Sequence, residues 1–207
     1  MLQTLSLAAY GPVIPVIVIH RVEDAVPLAE ALAEGGVRVL EVTLRTPVAL
    51  HAMERMARVP EVILGAGTLR TPGDVAAAKN AGCRFGVSPG YTETLGEASR
   101  AHDLALLPGV ATASEVMAAN DAGYQFLKLF PATVVGGVSL LKALAGPFPD
   151  VAFCPTGGIS VETAPQFLKL PNVRVCGGSW LTPQDAIDAR DWPRITRLAR
   201  EAASLRP

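Results

Sequence analysis

The stretch QFLKLFPA, residues 125–132, sets a lysine in the middle of an apolar run. Read as a β-strand, it turns Phe126, Lys128 and Phe130 to one face and Leu127 and Leu129 to the other. Both faces are apolar, so the amine of Lys128 is predicted to enter a dry interior. A second polar intrusion lies in LEVTLRT, where Glu41 alternates with Val37 and Val39 and Arg45 follows four residues later. If both faces point inward, a carboxylate and an amine share one interior.

Two chemistries fit such a pair. One is a buried ion pair with a structural role. The other needs an uncharged amine. Removing the proton from a lysine of ordinary pKa at neutral pH costs about 4.6 kcal/mol, and burial among phenylalanines and leucines works in that direction by desolvating the ammonium. An ionised Glu41 works against it. Arg45 offsets part of that carboxylate's charge and offers a planar fork for the carboxylate of a substrate. A neutral Lys128 would condense with a ketone, and Glu41 would move the protons needed for dehydration, enamine formation and departure of an aldehyde oxygen.

The elements that must hold these groups are legible as a repeat. Eight apolar, β-branched runs recur: VIPVIVI from Val13, VRVLEV from Val37, EVILGA from Glu61, RFGVS from Arg84, LALLPG from Leu104, QFLKLF from Gln125, VAFCP from Val151 and VRVCGG from Val173. Segments rich in alanine and leucine with helical spacing separate them, which gives repeated βα units. Thr46-Pro47, Thr71-Pro72 and Thr182-Pro183 each pair an N-cap hydroxyl with a proline at the first helical position, and Thr112 with Glu115 fits a capping box. Gly36, Gly82 and Gly123 fall between a helix and the next strand, where a left-handed cap belongs. No G-x-G-x-x-G follows the first strand, which argues against a dinucleotide-binding sheet. Eight strands favour an α/β fold of the (β/α)8 or TIM barrel type, one domain over residues 1–207 with a short segment before the first strand.

In such a barrel the active face lies at the carboxyl ends of the strands. Unusual residues collect there: Glu41 and Arg45 in LEVTLRT, Thr68 in GAGT, Ser88 and Pro89 in VSPG, Lys128 and Phe130 in LKLFPA, then PTGGIS and CGGSW. Gly157-Gly158 and Gly177-Gly178-Ser179 put bare backbone at the two strand ends where barrel enzymes often bind phosphate. No P-loop lysine accompanies them.

Composition narrows the field. Half of the 207 residues are hydrophobic, enough for a large core, and a net charge of -1 gives no basic footprint for nucleic acid or an anionic membrane. The uncharged opening before His20 is interrupted by Gln3, Thr4, Ser6, Gly11, Pro12 and Pro15, unlike a membrane span or signal peptide. Cys83, Cys154 and Cys176 each sit in or beside an apolar run without a C-x-x-C spacing, so buried thiols and a cytoplasmic location are expected. His20, His51 and His102 form no H-x-x-x-H pair, and no metal site is expected.

Taken in order over nearly the whole chain, VIPVIVI, GGVRVLEVTLRT, GAGT, SPG, FPA, GPFPDVAFCPTGGIS and GGSWL resemble the family of bacterial 2-keto-3-deoxy-6-phosphogluconate (KDPG) and 4-hydroxy-2-oxoglutarate (KHG) aldolases. The resemblance implies a homotrimeric barrel enzyme of the Entner-Doudoroff pathway, free of cofactor and metal. It would cleave a phosphorylated keto acid, KDPG, to pyruvate and glyceraldehyde 3-phosphate, and also KHG to pyruvate and glyoxylate. Carried over by position, it implies Lys128 as the Schiff-base lysine and Glu41 as general acid and base. Arg45 would hold the pyruvate carboxylate, with Thr68 and Pro89 lining the same pocket and Phe130 packed beside the imine. Gly157, Gly158 and Ser179 would bind phosphate. A galactonate-series aldolase, differing in the configuration of one hydroxyl of its substrate, and a non-catalytic barrel that binds a phosphorylated metabolite stand as alternatives. Chelators are expected to leave the cleavage rate unchanged; a loss of rate restored by a divalent ion would overturn the metal-independent assignment.

Overall fold

β-Branched residues suit a pleated surface buried on both sides, and the apolar runs form strands accordingly. The computed structural model describes residues 4–205. A 3-10 helix, Thr4–Tyr10, leads into β1 (Val13–Ile17), and β2 (Val39–Thr43), β3 (Ile63–Gly67), β4 (Phe85–Val87) and β5 (Ala105–Leu107) follow, separated by α1 (Ala25–Glu34), α2 (Ala49–Met56), α3 (Pro72–Asn80) and α4 (Glu93–Ala101). The second half contains β6 (Gly109–Val110), α5 (Ala113–Asp121), β7 (Phe126–Leu129), α6 (Gly137–Ala145), β8 (Ala152–Pro155), α7 (Ala164–Leu168), β9 (Cys176–Gly178), α8 (Gln184–Asp188) and α9 (Trp192–Ala203). No helix among the described residues is long and apolar enough to cross a membrane.

Strand pairing is parallel throughout, in a six-stranded sheet ordered β5-β4-β3-β2-β1-β9 and a three-stranded sheet ordered β6-β7-β8. The sheets meet at Pro108. Proline has no N–H to give the ladder, so the expected strand LALLPG divides there: β5 pairs with β4, and β6 pairs with β7. On the other side, two isolated parallel bridges, Phe153 with Val173 and Thr156 with Gly177, link β8 to the β9 chain.

Both sheets face one interior. Ile14, Val39, Phe85, Leu107, Phe126 and Cys154, drawn from six different strands, belong to a single buried cluster that Leu7 of the 3-10 helix joins. The opposite faces carry the helices: Leu40, Val42 and Leu64 pack with residues of α1 and α2, and Leu127, Leu129 and Phe153 with residues of α5, α6 and α7. The alternation read in QFLKLF is therefore realised, with the leucines under helices and Lys128 in register with Gly109 and Cys154. Interior volume also explains Gly65, because a Cβ there would fall within the ring of Phe85.

The punctuation holds in part. Thr71 and Thr112 cap α3 and α5 with complete capping boxes to Asp74 and Glu115, and Gly36, Gly82 and Gly123 have φ of 90°, 87° and 91°. Thr46 and Thr182 cap nothing. Thr46 Oγ1 donates to Ile19 O at 2.6 Å, and Thr182 Oγ1 to Ser179 O at 3.5 Å, so each hydroxyl is drawn to a loop carbonyl rather than to a helix N-terminus. The packing of Phe85 against Gly65 gives a stability prediction: Phe85→Ala lowers the unfolding free energy by about 3–5 kcal/mol in urea titrations. A loss below about 1 kcal/mol would contradict this account of the interior.

Candidate active site

β2 and β7 bring the two ionisable side chains together. Lys128 Nζ lies 3.4 Å from Glu41 Oε1, and the side chains are 5 % and 4 % exposed. Taking both charges out of water costs several kcal/mol per ion, which the attraction between them barely repays. Such a pair adds little to stability, and its retention in the interior points to chemistry. Nζ also stands 5.1 Å from the centroid of the Phe130 ring, which shields one side of it.

The carboxylate has space because β3 ends in glycine. A Cβ on Gly67 would collide with Glu41 Oε1 and lie 2.8 Å from its Cγ. Two residues along β2 from Glu41, Thr43 is fully buried and donates from Oγ1 to Ile17 O at 2.9 Å, which ties β2 to β1 beside the pair.

Arg45 leaves the end of β2 into solvent, and its Nε donates to Thr68 Oγ1 at 3.3 Å. Thr68 has φ 65°, a left-handed conformation that costs a β-branched residue about 1–3 kcal/mol. The strained backbone holds a hydroxyl where it orients the guanidinium.

Lys128, Phe130 and Arg45 line a cavity of about 250 Å³ that Gly157, Gly158 and Ser179 complete at its other end. Gly157 and Gly158 have φ of 102° and 76°, a turn that side-chain-bearing residues adopt only under strain. Pro89 is exposed and lies outside this lining; its backbone instead presses on Gly109, where a Cβ would strike the Pro89 carbonyl. Thr68 reaches the cavity through Arg45, and Glu41 through Lys128. Among the described residues, no group of three or more His, Cys, Asp or Glu side chains is placed to hold a metal ion.

Against this geometry, residues 6–198 match the family model described as KDPG and KHG aldolase. The chain belongs to the KDPG and KHG aldolase family. It is 52 % identical over 195 residues to a 2-dehydro-3-deoxy-phosphogluconate aldolase of Pseudoalteromonas atlantica, covering 94 % of this chain and 91 % of that one. It is equally 52 % identical over 198 residues to the KHG/KDPG aldolase of Escherichia coli, covering 95 % and 93 %. A solved KDPG aldolase of Legionella pneumophila, with pyruvate captured as a covalent carbinolamine intermediate, superimposes with a TM-score of 0.95 at 48 % identity, covering 98 % and 99 %.

Val16, Val18 and Ile159 line this aldolase-family cavity without having been singled out in the sequence, and so does one polar residue. Thr156 is buried, lines the cavity and sends Oγ1 to within 3.4 Å of Cys154 O. Its hydroxyl occupies the place a Cβ of Gly177 would take. The signal was available, since a period of two from Cys154 turns Thr156 inward. The thiols are not nucleophiles near neutral pH. Burial pushes Cys154 up to about 12, against smaller opposing effects of Lys128 and Thr156, and likewise pushes Cys83 up to about 12 and Cys176 up. Gly67 supplies the test of the site's packing: Gly67→Ala should displace the Glu41 carboxylate and lower kcat about 100-fold, while costing about 1–3 kcal/mol of stability. Steady-state cleavage within a factor of about two of the unaltered protein would show that Glu41 does not depend on that space.

Proposed function

We propose that this protein is a class I aldolase that cleaves KDPG to pyruvate and glyceraldehyde 3-phosphate through a Schiff base on Lys128, with Glu41 as its proton carrier. The observation that carries the assignment is the buried contact of Lys128 Nζ with Glu41 Oε1 at 3.4 Å beside a cavity ending in a glycine turn. A proton passed from Nζ to the carboxylate frees the electron pair of the amine. Nζ then attacks the C2 ketone to give a carbinolamine, and Glu41 returns the proton to the departing hydroxyl as water leaves. The iminium accepts the electron pair of the C3–C4 bond while Glu41 removes the C4 hydroxyl proton, releasing glyceraldehyde 3-phosphate and an enamine. Protonation at C3 and hydrolysis of the imine release pyruvate and restore the amine.

In this scheme Arg45, steadied by Thr68, holds the C1 carboxylate in its fork. Phe130 walls the imine, and Gly157, Gly158 and Ser179 take the phosphate, while Pro89, outside the lining, backs Gly109 of β6. The name of the Escherichia coli relative supports cleavage of KHG as well, and that of the Pseudoalteromonas relative supports the gluconate series. The shared use of the Leu104–Gly109 run by both sheets and the two bridges between β8 and β9 support a closed (β/α)8 barrel as a single domain. Family membership supports a homotrimer, and three free, buried cysteines support residence in the cytoplasm.

Borohydride reduction in the presence of pyruvate tests the assignment. The expected result is one reduced pyruvate bound irreversibly at Lys128, found by peptide mass mapping. Lys128→Ala should lose both label and turnover, at a cost in stability because Glu41 stays buried without its partner, so circular dichroism at the assay temperature must show the variant folded. Glu41→Gln should slow turnover by about 100- to 10,000-fold. An unmodified lysine in a protein that still binds pyruvate would make the chain a metabolite-binding barrel instead.

A further inference from the structure

Pro15 is paired with Gly178, and beyond that pair β1 and the chain leaving β9 separate. The cavity occupies the split, with Val16 and Val18 on one side and Gly178 and Ser179 on the other. Toward β2, hydroxyls hold the tail of β1, through Thr43 to Ile17 O and Thr46 to Ile19 O. Toward α8, charged side chains do so. Asp24 is 1 % exposed, and it accepts from Arg21 Nε at 2.6 Å through Oδ2 and from Arg190 Nε at 3.1 Å through Oδ1. Arg21 Nη2 also donates to Ile187 O and Asp188 O, each at 3.2 Å, at the carboxyl end of α8. Ile187 is buried in the same cluster as Leu28 of α1, so these carbonyls are fixed points.

Ser179 connects directly to this anchor. Its carbonyl accepts from Thr182 N at 3.1 Å, in the turn that leads into α8. Arg190 has φ 54°, where glycine would be unstrained. An arginine held in that conformation implies a use for its side chain, and the use visible here is Asp24. A carboxylate buried this deeply persists only when paired, so Asp24 locks the two segments that bring Arg21 and Arg190 to it. None of the three side chains is part of the cavity lining, and none bonds to β2 or β7, which carry Glu41 and Lys128.

We propose that Asp24, clamped by Arg21 and Arg190, is a positioning residue that sets the span between residues 16–18 and Ser179, and thereby the fit of the substrate's phosphate. This rests on the assignment of the cavity to the aldolase reaction. Loosening the clamp widens the phosphate end and leaves the amine and carboxylate in place, so substrates with a phosphate suffer and those without one do not.

Arg190→Gly removes the guanidinium and relaxes the left-handed backbone, which preserves the fold; Asp24→Asn removes the shared acceptor's charge. The measurements are kinetics on KDPG and on KHG, which has no phosphate, and calorimetric binding of glycerol 3-phosphate. In both variants KM for KDPG should rise about tenfold and glycerol 3-phosphate should bind about tenfold more weakly, with kcat and all constants for KHG within a factor of about two. Arg190→Lys should recover part of the loss. Should Asp24→Asn fail to fold, Arg190→Gly decides alone. Equal effects on the two substrates, or no effect on either, in a variant that unfolds at the normal temperature would overturn the proposal. Clamp-dependent binding of glycerol 3-phosphate by a protein that cleaves neither substrate would remove the aldolase assignment and leave the positioning role standing.

Discussion

The side chains of Lys128 and Glu41, held side by side in a barrel-like interior, set the terms for the surrounding structure. Lys128 and Glu41 come from strands in different sheets, so their contact requires both sheets to face one interior. It also requires space. Gly67 yields the volume of the Glu41 head, and Gly109, in register with Lys128, lets the Pro89 backbone close over β6. Larger residues at these positions would press on the carboxylate or on the loop above it, and a packed interior has no slack to absorb them. Below the pair, Phe85 over Gly65 and Leu7 fill the interior with apolar groups.

The two ends of the cavity differ in kind. Arg45 offers a planar, permanently charged fork at an exposed site, steadied by a single hydroxyl. The far end uses a glycine turn and Ser179, with no lysine or arginine other than Lys128 and Arg45 in the cavity lining. Backbone groups are fixed by the fold and carry no formal charge, so in the proposed reaction they would receive the phosphate without adding a second cation near the imine, where it would resist the positive charge that forms on nitrogen. On that proposal, charge recognition falls to one end and shape recognition to the other.

Much of this was legible in the sequence because it depends on period and residue type. A lysine in a period-two apolar run has to enter the interior, and the pair Gly157-Gly158 marks a turn with positive φ. What escaped were features set by contacts that the local residue pattern does not reveal. Pro108 splits one expected strand into two because each half finds a different neighbour, and no local pattern identifies those neighbours. Thr46 and Thr182 have the local form of helix caps, yet each hydroxyl donates to a carbonyl, of Ile19 and of Ser179. Asp24 reads as an ordinary acidic residue at a helix start; its burial follows from Arg190, 166 positions later.

Stability and chemistry are separated within the molecule. The buried pair contributes little net free energy, and the left-handed Thr68 subtracts from it. Both sit at the carboxyl ends of the strands. The compensating burial lies elsewhere, in the helix-covered faces with Leu28, Leu40 and Met53 on one side and Leu127, Leu141 and Phe153 on the other, all fully buried. Because those faces point away from the interior, their packing can change without moving Nζ or Oε1. The reverse does not hold. A larger residue on the interior face, at Gly67, presses directly on the Glu41 carboxylate, so the site depends on the space that its own strands leave.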